Sequence, residues 1–222
     1  MRMPPELKAR ILASAEREAS PTRQVARART RLVALSALGA ALVLFALATL
    51  LDSRRPSPPP RPEVFAAATV AGWIAVGLVT TWAAFGRGRS MLGRPRAWLL
   101  AIAALTAPTL FGWMFFWNTR YAETMAPYPE RSGKYCLAFT LVIAAWPLVA
   151  LARVRRERDG SHASLAGAAR GAALGALGGF LVDVWCPVAN PAHVAFGHIL
   201  PIVLLSAVGA VAGRRYSGVR ST

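Results

Sequence analysis

The sequence has few of the residues on which soluble enzymes and secreted scaffolds depend. Its 222 residues include only two cysteines, three histidines and ten acidic residues. Two cysteines cannot build the disulfide framework of a small secreted domain. The sequence also lacks a nucleophile-and-base set, a phosphate-binding loop and a pair of carboxylates within one apolar segment. We therefore predict that the protein is not an enzyme.

Long apolar runs make up most of the chain, which is 55% hydrophobic and only 16% charged. A helix needs about 20 mostly apolar residues to cross the hydrocarbon core of a bilayer. Six segments are candidates, of which the fourth is short but within the usable range: Leu32–Leu51, Val64–Phe85, Ala97–Trp117, Cys136–Ala152, Ser164–Trp185 and Val194–Gly213. The connections are short, so neighbouring helices should be antiparallel. The predicted fold class is all-α, a polytopic six-transmembrane-helix bundle (32–213) between an N-terminal arm (1–31) and a tail (214–222).

Basic residues are distributed unevenly between the two sides of the predicted bundle. The chain carries 26 Lys and Arg, and nineteen of them lie in the arm, the second and fourth loops and the tail, against six in the other loops. Lys and Arg mark the cytoplasmic side of a membrane protein. Both termini are therefore predicted to be cytoplasmic. Because orientation accounts for most of the basic charge, the expected partner is the lipid bilayer and not nucleic acid.

The fifth apolar segment combines a glycine stripe with two charged residues. Glycine recurs every fourth residue along it, at Gly167, Gly171, Gly175 and Gly179. Small residues on one helix face allow another helix backbone to come close. We predict tight helix packing there, with a sliding interface as the alternative. Arg170 and Asp183 each lie near one end of the segment and are predicted to be anchors near water, not a proton path.

Both cysteines and two of the histidines are predicted to gather at one end of the bundle. Cys136 begins the fourth segment and Cys186 follows the fifth, so the antiparallel arrangement places both thiols at the same outer surface. His193 and His198 follow in the last outer loop and the start of the sixth segment. A Cys2His2 set suits zinc or cadmium, although the spacing differs from zinc-finger templates. A structural disulfide, reactive thiols and ordinary interface histidines are the open alternatives. No resident cofactor is predicted, only transient binding of a thiophilic metal ion.

The N-terminal arm is predicted to form a short amphipathic helix over residues 4–20. Leu7, Ile11, Leu12, Ala15 and Ala19 fall along one face of this helix, and the charged residues fall elsewhere. A helix this short is marginal on its own in water. It therefore needs either a lipid headgroup layer or a groove on a partner protein for its apolar face.

The second half of the chain resembles the NrsF family, six-span anti-sigma factors of the bacterial inner membrane. The resemblance covers roughly residues 130–215. It rests on the segment Gly133–Ala138, the Pro147 span, the arginine-rich loop, the glycine-striped span and the Trp185-Cys186-Pro187 sequence, followed by a last span with Gly209 and Gly213. The first three spans fit the family in number and length.

The resemblance implies a regulatory role at the inner membrane. The protein would hold an extracytoplasmic-function sigma factor away from core RNA polymerase. Combining this role with the amphipathic arm, we predict that Leu7, Ile11, Leu12 and Ala15 form the sigma-docking face. Cys136 and Cys186 would be the periplasmic thiols that sense metal or oxidative stress. The alternatives are a small transporter or export subunit, with Thr80, Thr81 and Thr106 as its best polar candidates, and a purely structural membrane subunit.

Overall fold

The computed structural model describes residues 62–85, 95–121, 133–154, 162–186 and 188–216, with seven single positions before residue 62. The described regions are helical and contain no strand. Apart from those single positions, two predicted regions lie outside the described residues: the N-terminal arm, with Leu7, Ile11, Leu12 and Ala15, and the first predicted span, Leu32–Leu51. The tail is described only as far as residue 216.

Five helical segments in the described part of the chain are long and apolar enough to cross a membrane. They are α1 (Glu63–Phe85), α2 (Arg96–Arg120), α3 (Lys134–Val154), α4 (Ala163–Trp185) and a last segment built from α5 (Pro191–Val194), a π turn (Ala195–Ile199) and α6 (Leu200–Tyr216). These segments confirm the all-α class. They also match the second to sixth predicted spans, each end within three residues of its predicted position.

Helix α4 is the central helix of the bundle. In an 18-residue apolar stretch of α4, 72% of the residues are buried, against 28% in the corresponding stretch of α1. Alanine and glycine dominate its middle, so the surrounding helices can approach on every side. The outer faces of the other helices expose large apolar side chains, among them Leu78, Trp82, Leu105 and Val211. Soluble proteins rarely expose so much apolar surface, so this exterior is that of a membrane protein.

Three glycines of the stripe lie where α4 meets α6. A Cβ added to Gly167 would overlap the carbonyl of Gly209, and one added to Gly171 would overlap the carbonyl of Leu205. At Gly175 the added atom would lie 2.8 Å from a backbone Cα of α6. The two backbones therefore touch along about two turns of helix, a contact that only residues without a side chain allow.

The two charged residues of α4 are buried inside the bundle. Arg170 is 8% exposed and Asp183 is 2% exposed. The sequence predicted both as anchors near water, and the structure differs in this respect. The reason is the central position of α4, because neighbouring helices cover even the turns near its ends.

Candidate functional site

Two thiols and two imidazoles meet at one end of the bundle. The sulfur and ring nitrogen atoms of Cys136, Cys186, His193 and His198 all lie within 4.8 Å of one another, and all four residues are buried. The two Sγ atoms are 3.5 Å apart. The His193 Nε2 atom lies 3.5 Å from the Cys136 sulfur and 3.2 Å from the Cys186 sulfur. The two cysteines do not form a disulfide.

Different segments of the chain supply the four residues. Cys136 lies in the first turn of α3, and Cys186 follows α4, with its backbone N–H donating to the carbonyl of Val182 at 3.0 Å. The short connection to the last segment ends at Asn190, whose side chain accepts from the N–H of Ala192 at 2.9 Å. That cap starts α5, which carries His193. The site therefore joins α3, α4 and the last segment.

The π turn places the second histidine beside the first. His193 and His198 are five residues apart, which in a regular α-helix would point them about 140° apart. The wider turn at Ala195–Ile199 brings their ring centroids to 5.6 Å. Pro201 favours the wider turn, because in an α-helix its ring would clash with the carbonyl four residues earlier, that of Gly197. Such turns are frequent at functional sites.

A contact between two glycines holds α3 against the π turn. Gly133, just before α3, has a φ of +74°, and a Cβ there would lie 3.1 Å from Gly197 Cα and from the His193 carbonyl oxygen. A Cβ on Gly197 would lie 3.1 Å from the Cβ of Cys136. Sequence reasoning missed this role for both glycines. Two features of the sequence could have indicated it: Gly133 lies just before a helix, and Gly197 lies four residues before Pro201.

Replacing Gly133 by alanine is expected to loosen this end of the bundle. An L residue at positive φ costs about 1–2 kcal/mol, and the added methyl also crowds the backbone of Gly197. We expect a lower melting temperature in detergent and faster alkylation of the Cys136 thiol. Gly112→Ala is the matched control, since a Cβ there meets nothing within 4 Å. Equal behaviour of the two variants would contradict the assigned role of Gly133.

An indole closes the inner side of the site. Trp73 of α1 is fully buried, and its ring centroid lies 6.3 Å from that of His198. The ring fits against Gly179, where an added Cβ would lie 2.7 Å from an indole carbon. The fourth glycine of the predicted stripe therefore makes room for a side chain of α1, whereas the first three contact α6.

The contacts within the site lower the pKa of the Cys186 thiol. The pKa of the Cys186 thiol is held well below its ordinary value, because the Cys136 thiol hydrogen-bonds to its sulfur. Burial acts in the opposite direction, and the contact with His193 lowers the pKa further. Thiolates are the form of cysteine that attacks electrophiles and binds metal ions, so the arrangement suits either reaction.

Two of the three polar candidates for a transport path, Thr80 and Thr106, form hydrogen bonds within their own helices. The Thr80 hydroxyl donates to the carbonyl of Val76 at 2.7 Å, and the Thr106 hydroxyl donates to that of Ile102 at 2.6 Å. Threonine commonly bonds in this way to the preceding turn of its own helix. The hydroxyl of the third candidate, Thr81, which lies next to Thr80 on α1, has no hydrogen-bond partner among the described residues. The contacts of Thr80 and Thr106 are those of packed helices and give no support to a polar path.

Comparison with known proteins identifies the family of the chain. No curated protein and no solved structure matches it. The sequence model of the NrsF family, described as negative regulator of sigma F, matches residues 14–217. The match includes the four residues of the site and the glycines between α4 and α6, and it extends over most of the 222 residues. The chain therefore belongs to the NrsF family of negative regulators of sigma F.

Proposed function

We propose that the protein is an anti-sigma factor of the bacterial inner membrane. It binds an extracytoplasmic-function sigma factor through its N-terminal arm and keeps it from core RNA polymerase. It releases the sigma factor when Cys136 and Cys186 react with a thiophilic metal ion or an oxidant. The family match over residues 14–217 carries this proposal, and the buried thiol pair supports the sensing step.

The charge distribution supports an orientation with the thiols facing the periplasm. The opposite end of the bundle carries Arg96 at the start of α2 and both Arg214 and Arg215 in the last turn of α6. Together with the excess of basic residues in the arm and the arginine-rich loops, this end has the character of a cytoplasmic face. The sigma factor and the signal would then act at opposite ends of the same helices.

The glycine contact between α4 and α6 supports a route between those ends. Cys186 follows α4 and His198 precedes α6, so a change at the site acts on both helices. Closely packed helices have discrete arrangements and do not deform continuously. A ligand or reaction that favours one arrangement by a few kcal/mol suffices to change its population.

The oxidative branch of the signal is a two-electron reaction. A peroxide would take two electrons and two protons from the two thiols and leave as water while the sulfur–sulfur bond forms. That bond is about 2.05 Å long, whereas the sulfur atoms now lie 3.5 Å apart. Closing this gap draws the start of α3 toward the end of α4, and this movement would begin the rearrangement.

Co-purification with the sigma factor tests the proposed docking element. We expect an extracytoplasmic-function sigma factor to co-purify with the detergent-solubilised chain from its own host, and to be lost when residues 4–20 are deleted. Ala15→Asp, on the predicted apolar face, should lose most of the bound sigma factor, because a charge there is incompatible with an apolar groove. Ala13→Asp is the matched control on the opposite face and should retain it. Retention in both variants, or in the deletion, would contradict docking through the arm.

A further inference from the structure

We infer that Cys136, Cys186, His193 and His198 together form a four-coordinate site for a d10 metal ion of the zinc and cadmium class. The inference deepens the proposed sensing step by naming its ligand set and its ion class. Binding of the ion can be tested without a sigma factor. Only the regulatory consequence rests on the proposed function.

The distances among three of the four donor atoms fit tetrahedral coordination, and the fourth, on His198, lies within 4.8 Å of them. With zinc–sulfur bonds of about 2.3 Å and zinc–nitrogen bonds of about 2.0–2.1 Å, a tetrahedron has edges of about 3.8 Å between sulfurs and about 3.6 Å between sulfur and nitrogen. The sulfur atoms of Cys136 and Cys186 lie 3.5 Å apart. The His193 nitrogen lies 3.5 Å and 3.2 Å from them. An ion therefore fits between these atoms after small adjustments of the side chains.

His198 supplies an independent observation. It is completely buried, and neither of its ring nitrogens makes a hydrogen bond of ordinary length to a described residue; its interaction with the Cys186 sulfur is a longer, electrostatic one. Both nitrogens of a buried imidazole ordinarily find a partner, because leaving them desolvated and unpaired is unfavourable. Since its ligand nitrogen lies within 4.8 Å of both sulfurs, a bound ion would provide the missing partner.

The donor atoms select the class of ion. Magnesium and calcium prefer oxygen ligands, whereas two thiolates and two imidazoles suit zinc and its softer relative cadmium. Four protein ligands fill a tetrahedral shell and leave no position for a substrate or water. The site is therefore one of binding and cross-linking. An ion entering it would displace the two thiol protons and tie α3, α4 and the last segment to one centre.

Metal binding and disulfide formation exclude each other, because both use the two sulfur atoms. A bound ion should therefore protect both thiols from alkylation and from oxidation by peroxide. The two signals would leave the site in different states. A bound ion holds His193 and His198 as well as the two sulfurs, whereas a disulfide joins the sulfurs alone.

Spectroscopy on the purified full chain tests the inference. In detergent and under reducing conditions, we expect one Co²⁺ per chain, with the visible absorption of tetrahedral cobalt and a thiolate charge-transfer band. Zn²⁺ should displace Co²⁺ and bleach both signals, and Cd²⁺ should protect the thiols from alkylation. Absence of tetrahedral Co²⁺ binding and of thiol protection in the wild-type chain would overturn the site. That result would leave the co-purification with a sigma factor unaffected, so the two proposals can fail separately.

Substitutions of the histidines test the ligand set. Loss of a group that only supports a metal ligand weakens binding by roughly 10–100-fold. His198→Gln removes a ligand and should therefore weaken Zn²⁺ binding by at least as much. His162→Gln is the control. His162 is the remaining histidine of the chain, and it lies at the start of α4, at the opposite end of that helix from Cys186. His198→Cys keeps a metal-binding side chain and should retain tight binding, with a stronger charge-transfer band. Unchanged Zn²⁺ affinity in His198→Gln, in protein that elutes as a single folded species, would show that His198 is not a ligand.

Discussion

Serine at both Cys136 and Cys186 is expected to abolish release of the sigma factor under cadmium or peroxide stress. The serine hydroxyl is close to the thiol in size, so the resting packing around the two buried positions should persist. It cannot form a disulfide, and it is a poor ligand for a thiophilic ion. We expect a reporter driven by the sigma factor to stay at its uninduced level in cells that carry the double variant, where the wild-type chain gives full induction.

The single variants separate a pairwise mechanism from the reaction of one thiol. Cys136→Ser and Cys186→Ser should each lose the response as fully as the double variant, because the disulfide and the shared ion both need two sulfurs. His162→Gln, with equal protein in the membrane fraction, serves as the control that keeps the response. Full induction in the double variant would contradict sensing by the thiols. Constitutive release would show instead that the thiols stabilise the sigma-bound state.

Alanine at Gly171 is expected to disrupt the contact between α4 and α6. The new Cβ would overlap the carbonyl of Leu205 and lie 2.9 Å from the Cα of Ser206. These are backbone atoms, so no rotamer change can relieve the overlap and the two helices must separate. Overpacking of a close contact costs about 1–3 kcal/mol, and the separation also weakens the contact at Gly167. We expect a clear fall in the melting temperature of the purified protein in detergent.

Gly112→Ala provides the control for helix propensity. A Cβ at Gly112 meets nothing within 4 Å, and alanine favours the helix over glycine. The variant should be as stable as wild type or slightly more stable. If Gly171→Ala matched it, the close contact between α4 and α6 would be wrong. A destabilised Gly171→Ala protein should also show faster alkylation of Cys186, because α4 carries the structural change to the thiol end of the bundle.

The sequence by itself determined the five helical segments that the structure describes and placed the reactive residues together at one end of them. Apolar length predicts a span directly, because a bilayer demands about 20 residues whatever the surrounding structure; the predicted Val64–Phe85 span, for example, corresponds to a helix over Glu63–Phe85. Antiparallel connectivity then places Cys136 and Cys186 at one end. The glycine spacing on α4 likewise indicated a close helix contact, without indicating its partner.

Only the tertiary structure decided which atoms meet. A helix that is apolar on all sides does not reveal its buried face, so the rotation of each helix depends on the packing of all its neighbours together. That rotation brings Trp73 to Gly179, and it buries Arg170 and Asp183. The π turn before Pro201 and the positive φ of Gly133 set the remaining geometry. The π turn and the positive φ each change the backbone at a contact between segments that are distant in the sequence, and so help to bring the two thiols and two imidazoles together. The spacing of residues along the chain does not encode such contacts.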